Sequence, residues 1–190
     1  MQASTDYKAK QAAQESAAQA MHAAFPHLTP VGGKVDGLQA AAKNIRIELK
    51  AAFPSVKFSV KSRRFSMGDA IDVSWEDGPT TDQVEDITGK YQAGSFNGQT
   101  DCYEYGADSW TRAFGDAKYV HTSREASDKA ILSAIRTVSA RYDLPEGAEV
   151  TPETYKGGKL WSVNMGGTNL QEVVGRTIQR RTWAIAKAAH

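Results

Sequence analysis

The residue types best suited to catalysis stand together near position 121. His121, Ser123 and Arg124 lie where a predicted strand ends and a predicted helix begins. Histidine exchanges a proton close to neutral pH, and side chains at such junctions often form functional sites. The same stretch fits a structural role in which Ser123 caps the helix and Arg124 pairs with Glu125 or solvent. We favour the structural role, so an enzyme ranks below the binding functions considered next.

A basic run beside an aromatic residue could instead bind nucleic acid. The basic residues of this run are Lys57, Lys61, Arg63 and Arg64, and Phe65 follows them. On the exposed face of a strand, such cations could follow a phosphate backbone. Lysines on an edge strand also prevent aggregation between sheets, so the run fits either role. In the predicted last helix, Arg176, Arg180 and Arg181 would extend this surface or form an ordinary solvated helix face.

Aromatic residues farther along the chain could anchor a protein partner. Aromatic side chains are enriched at the centres of protein interfaces because each buries a large area. The candidates in this stretch are Tyr103, Tyr105 and Trp110.

Metal and cofactor motifs do not occur in the sequence. The four histidines are scattered, Cys102 is the single cysteine, and neither HExxH nor CxxC spacing is present. The pairs Gly157-Gly158 and Gly166-Gly167 lack the spacing of a phosphate-binding P-loop. We therefore expect no metal site and no cofactor.

Composition narrows the classes of partner. The chain has 23 Lys and Arg against 22 Asp and Glu, a net charge of +1. This balance argues against an acidic DNA mimic and against a strongly basic duplex-binding protein. No apolar run approaches the roughly 20 residues that span a bilayer. We therefore expect that the protein does not enter the membrane. Because the single cysteine cannot form an intrachain disulfide, we also expect a cytoplasmic protein.

The elements that position these residues begin with a predicted hairpin. Two runs of alternating apolar and polar residues flank a polar turn, which predicts an antiparallel hairpin over 56–76. The apolar members are Val56, Phe58, Val60, Ile71, Val73 and Trp75. Further strands are predicted near 100–105 and 117–121, and an edge strand at 160–163.

Helices complete an α+β fold, in which they pack on a small antiparallel sheet. Apolar stripes at three- and four-residue spacing predict helices near 37–53, 80–91 and 169–188. Another helix begins after a cap at Ser123 or Ser127 and runs through Tyr142. We predict that residues 1–34 form an Ala- and Gln-rich helix with a linker, and that residues 35–190 form a single α+β domain.

The central part of the chain carries a family resemblance. Its motifs are Phe53-Pro54 with Lys57-Phe58-Ser59-Val60, Val73-Ser74-Trp75 with Asp77-Gly78-Pro79, and Asp101 with Tyr103-Glu104-Tyr105. In these motifs, residues 41–124 resemble the large polyvalent protein-associated domain, type 29. The resemblance implies an accessory module of proteins carried by phages and plasmids, and suggests a role against host defences. It implies no catalytic residues.

From these observations we expect a binding protein encoded by a mobile element. Its expected function is to inhibit a host defence complex, such as a CRISPR effector, by docking on it. The alternative is a nucleic-acid-binding accessory protein of phage or plasmid transfer, with DNA or RNA as its partner.

Overall fold

The computed structural model has the α+β architecture that the sequence predicts. It describes residues 2–97, 102–104 and 109–183, and the side chains of 12–94 and 109–183. The helices are α1 (Gln2–Ala24), α2 (Gly37–Ala52), α3 (Thr81–Thr88), α4 (Ser109–Phe114), α5 (Asp128–Ser139), α6 (Pro152–Lys156) and α7 (Leu170–Gln179). The strands are β1 (Ser59–Phe65), β2 (Gly68–Glu76), β3 (Ser95–Asn97), β4 (Cys102–Glu104) and β5 (Tyr119–Glu125). Two 3-10 helices cover Gly89–Tyr91 and Lys159–Ser162.

Two compact units make up the chain. The first unit consists of Met1–Pro54, Phe58–Ser74 and Val84–Ser123. The second consists of Ser55–Lys57, Trp75–Gln83 and Arg124–His190. The division of the chain into residues 1–34 and 35–190 stays a prediction.

The main sheet has three strands in the order β1-β2-β5. The predicted hairpin is confirmed: β1 and β2 are antiparallel, with Ser59 opposite Ser74 and Phe65 opposite Gly68. The sheet is mixed, because β5 runs parallel to β2, whereas the sequence predicts an antiparallel sheet. The long connection between β2 and β5 makes this possible, since it carries the chain back to the end of the sheet where β2 begins.

A second, two-stranded sheet contains the strand predicted near 100–105. This strand is β4, and it pairs antiparallel with β3, with Ser95 opposite Glu104 and Asn97 opposite Cys102. The strand predicted near 117–121 is β5, which extends four residues farther, to Glu125.

Helix α2 supports the first unit. Asp36 caps it, because its carboxylate accepts a hydrogen bond from the backbone N–H of Gln39 at 3.0 Å. The predicted apolar stripe is buried: Leu38, Ala41, Ala42, Ile45 and Leu49. The fully buried Asn44 accepts from the N–H of Thr29 at 2.7 Å and donates to the carbonyl of Phe114 at 3.2 Å. These bonds fasten the segment after α1 and the end of α4 to α2.

The second unit is built around α5 and α7. Its core consists of Ile131, Ala134, Ile135, Val138, Leu160, Leu170, Val174 and Ile178. Ser127, one of the two predicted caps, begins α5, and its hydroxyl accepts from the N–H of Ala130 at 3.3 Å. The edge strand predicted at 160–163 is wrong, because Lys159–Ser162 is a 3-10 helix that starts after Gly158 in a left-handed conformation.

Among the described residues, no helix combines the length and apolar character needed to cross a membrane.

Candidate functional site

One face of the main sheet presents its side chains to solvent. Successive residues of a strand point to opposite faces, and directly opposite residues of an antiparallel pair share a face. Lys61 lies opposite Asp72, Arg63 opposite Ala70 and Phe65 opposite Gly68. The contacts of Phe65 with Tyr119, and of Tyr119 with His121, place β5 residues on the same side. We call this surface the open sheet face; it comprises Lys61, Arg63, Phe65, Asp72, Tyr119 and His121.

Three rings form a row across the open sheet face. The centroids of Phe65 and Tyr119 lie 6.3 Å apart with an interplanar angle of 18°. Tyr119 and His121 follow at 5.9 Å and 10°. We call Phe65, Tyr119 and His121 the aromatic row. Its rings are nearly parallel although they come from two strands that are separated by β2.

Gly68 permits the aromatic row to cross β2. It has a φ of +151° and begins β2 directly opposite Phe65. A Cβ atom here would lie 2.7 Å from Cδ of Lys118 and 3.6 Å from the ring of Phe65. Because glycine leaves this space to its neighbours, Phe65 can reach Tyr119 over the central strand.

Solvent reaches the aromatic row. Phe65 is 40% exposed, His121 is exposed and Tyr119 is half-buried. The row therefore leaves part of its aromatic surface accessible to solvent.

Cationic groups flank the row. The guanidinium carbon of Arg63 lies 5.6 Å from the ring centroid of Phe65, and Nζ of Lys118 lies 5.5 Å from that of Tyr119. Nε of Arg63 also donates to a carboxylate oxygen of Asp72 at 2.8 Å, in an exposed ion pair. This hydrogen bond raises the pKa of Arg63, so the side chain stays charged.

The predicted basic run is not one row in the structure. Lys61 and Arg63 lie on the open sheet face, but Arg64 points to the other side and binds a carboxylate oxygen of Asp36 at 2.8 Å. Lys57 precedes β1, belongs to the second unit and lines a cavity there together with Glu76. The run is split because the strand begins at Ser59 and because neighbouring residues within it alternate between faces.

Trp110 packs inside the first unit. Its ring lies 4.8 Å from that of Phe114 and 5.0 Å from that of Phe25, and Nζ of Lys90 sits 4.2 Å above it. Trp110 thus joins the end of α1 to α4 rather than standing out as an exposed anchor. Tyr103 lies in β4 opposite Phe96 in the register of the strands. Tyr105 lies outside the described residues.

Arg124 is bound to backbone carbonyls of the second unit. Its guanidinium donates to the carbonyl oxygens of Asp77, Gly78, Ile178 and Arg181, at 2.8 to 3.2 Å. Burial lowers the pKa of Arg124, and the nearby charge of Asp77 offsets part of this effect. Alternation along β5 also directs Arg124 away from the side of His121 and Ser123. The three residues suggested for catalysis therefore do not converge.

Arg176 and Arg180 belong to the second unit as well. Arg176 donates to the carboxylate of Glu172, and Arg180 is the C-cap of α7. Both line a cavity that also contains Arg181, which the sequence places in the same basic group, and Arg141, which the sequence does not mark as a site candidate.

Sequence reasoning also missed Tyr119, the centre of the aromatic row. The signal was present, since Tyr119 and His121 are two residues apart in a predicted strand and so share a face. Within the described part of the chain, no group of three or more His, Cys, Asp or Glu side chains could hold a metal ion.

Comparison with known proteins confirms the family resemblance. The matching family model covers residues 37–127, from the start of α2 to the cap of α5. Neither a curated protein nor a solved structure matches the chain. The matched segment contains the whole open sheet face but not helices α5 to α7. Residues 37–127, just under half of the chain, thus match the family of the large polyvalent protein associated domain 29.

Proposed function

We propose that this protein is a binding module of a phage or plasmid and that its open sheet face binds single-stranded nucleic acid. The observation that carries the proposal is the aromatic row. The match of residues 37–127 to their family supports an origin in a mobile element.

Stacking is the main interaction in this proposal. Aromatic side chains on an exposed sheet are a recurrent platform for unpaired bases. Each stacked base contributes about 1–3 kcal/mol with little dependence on sequence. Phe65, Tyr119 and His121 supply rings at spacings of 5.9 and 6.3 Å. Bases in a duplex are stacked on each other, so the row selects single strands.

The charges around the row fit a weak contact with phosphates. Lys61 and Arg63 are exposed, and Arg63 already has a carboxylate partner in Asp72. Exposed ion pairs contribute only about 0–1 kcal/mol, so a phosphate can replace Asp72 at little cost. Because few cations are involved, affinity should fall moderately as salt is raised from about 50 to about 200 mM.

The test is fluorescence anisotropy with a labelled oligothymidylate of about 10 nucleotides. We expect Phe65→Ala and Tyr119→Ala each to weaken binding about tenfold, because each removes a stacking surface. Trp161→Ala is the matched control, since Trp161 is an aromatic residue of the second unit that is 62% exposed. Full affinity in both row variants, or equal loss in the control, would reject the proposal.

A second candidate function is docking on a host defence complex in an anti-CRISPR manner. Met67 favours it, because this residue is 79% exposed in the hairpin turn, two positions from Phe65. Methionine and aromatic residues are enriched in protein interfaces.

An interference assay in cells with an active CRISPR system tests the second candidate. If docking uses the turn, Met67→Glu abolishes protection of the invading DNA. Leu132→Glu, which also places a charge on an exposed apolar position, preserves it. Absence of protection by the unmodified chain would exclude this candidate for the system tested.

A further inference from the structure

Four arginines converge on one cavity of the second unit. Arg141 follows α5, Arg176 lies in α7, and Arg180 and Arg181 follow directly after α7. The cavity has a volume of about 310 Å³ and is lined by all four side chains. Two elements that are far apart in sequence thus bring their cations together.

Two of these four arginines form side-chain hydrogen bonds within the fold, namely Arg176 and Arg181. Arg176 donates to Glu172, whose carboxylate also accepts from the hydroxyl of Thr168 at 2.8 Å. Arg181 donates to the hydroxyl of Thr137 at 3.0 Å. The carboxylate of Glu172 thus pairs with one of the four guanidinium groups, that of Arg176. Arginines near a helix C-terminus offset the helix dipole, but that role does not require four of them around a single cavity.

The rest of the lining can hold an organic group. Val138, Met165 and Val173 supply apolar surface, and Tyr142 adds a ring that is 42% exposed. Ligand cavities typically combine such apolar walls with a few polar groups that fix orientation. Guanidinium groups bind phosphate oxygens in a bidentate manner, which makes arginine the preferred partner of phosphate.

From this combination we propose that the cavity binds a mononucleotide. The arginines hold its phosphate group, and the apolar wall with Tyr142 holds its base and sugar. A volume of about 310 Å³ is at the lower end of the range for small-molecule sites, as a mononucleotide requires. This site shares no residue with the open sheet face and lies outside the segment that matches the family.

Isothermal titration calorimetry of the full chain with adenosine monophosphate tests the proposal. We expect saturable binding of this nucleotide and none of adenosine, because adenosine lacks the phosphate. The double variant Arg141→Ala/Arg180→Ala should bind at least about tenfold more weakly, the factor expected for a lost hydrogen bond to a charged group. These two arginines are chosen because Arg176 and Arg181 make side-chain hydrogen bonds within the fold, whereas the guanidinium carbon of Arg141 lies 5.7 Å from the ring centroid of Tyr142, inside the cavity wall.

Arg136→Ala is the matched control. It removes an exposed arginine of α5 that does not line the cavity, so nucleotide affinity should stay unchanged. A thermal melt verifies that both variants fold, and added nucleotide should raise the melting temperature of the control alone. Equal loss in the control, binding of adenosine, or inorganic phosphate bound as tightly as the nucleotide would each overturn the proposal.

Discussion

Arg63 and Arg124 belong to the two strands that flank β2, yet their environments differ. Arg63 has one carboxylate partner and a side chain that is 55% exposed. Arg124 donates to four backbone carbonyls and is partly buried. The first guanidinium can exchange its partner for a ligand at little cost, and the second cannot. The availability of a charged residue therefore depends on its partners rather than on its residue type.

The largest effect should come from removing the charge of Arg124. Arg124→Met keeps a long apolar side chain but leaves four carbonyls without their donor, so we expect the free energy of unfolding to fall by about 3 kcal/mol. Arg63→Met, the matched change at the exposed arginine, should alter it by less than about 0.5 kcal/mol. Urea denaturation measures both values. Similar losses in the two variants would remove the distinction between these arginines.

The ion pair of Arg64 with Asp36 should give an effect on stability between those of Arg124 and Arg63. Asp36 has a second role as the cap of α2. Asp36→Ala should lower the free energy of unfolding by about 1 kcal/mol, the usual effect of losing a cap. Arg64→Met should have a smaller effect, since the ion pair is exposed. Because Asp36→Ala removes the ion pair as well as the cap, equal losses for the two variants in denaturant titrations would show that the cap contributes nothing.

The contribution of the Asp36 carboxylate to the free energy of unfolding should depend on pH. The backbone N–H of Gln39 and, next, the hydrogen bond from Arg64 lower the pKa of Asp36 below its usual value. The contribution of Asp36 to stability is therefore present above the unfolded pKa of about 4 and is lost as pH falls through the lower folded pKa. The difference in unfolding free energy between the unmodified chain and Asp36→Ala should shrink over that range. A difference that stays constant down to about pH 2 would contradict this assignment.

Asp72 should give the smallest effect on stability. Asp72→Asn releases Arg63 from its ion pair, so the free energy of unfolding should change by less than about 0.5 kcal/mol. The affinity for oligothymidylate should rise about threefold, because an acidic group is removed beside the aromatic row. Anisotropy titrations at low salt measure this gain. Unchanged or weaker binding would show that Asp72 does not compete with phosphate.

Periodicity predicted the elements whose pattern is local. The hairpin, α2 and the stripe of α5 follow from the spacing of apolar residues such as Val73, Ile45 and Ile131. The end of β5 could not be predicted from this spacing, because Ser123 and Ser127 are both suitable caps for the helix that follows. The backbone bond from Asp77 N–H to the Glu125 carbonyl, at 2.9 Å, continues the strand to Glu125.

The candidate sites were harder to predict for a related reason. Carbonyl partners such as those of Arg124 carry no signature in sequence, since every residue has a carbonyl group. The cavity of the second unit requires Arg141 and Arg180 to meet although they are far apart along the chain. Only the shared face of Tyr119 and His121 could be read directly from spacing.

Gly68 serves both the hairpin turn and the aromatic row. Its backbone conformation suits the hairpin turn, and its missing side chain gives the aromatic row its continuity. During divergence, a mutation at this position would impair both properties at once. At Tyr119 or His121, by contrast, a substitution changes the row and leaves the turn intact.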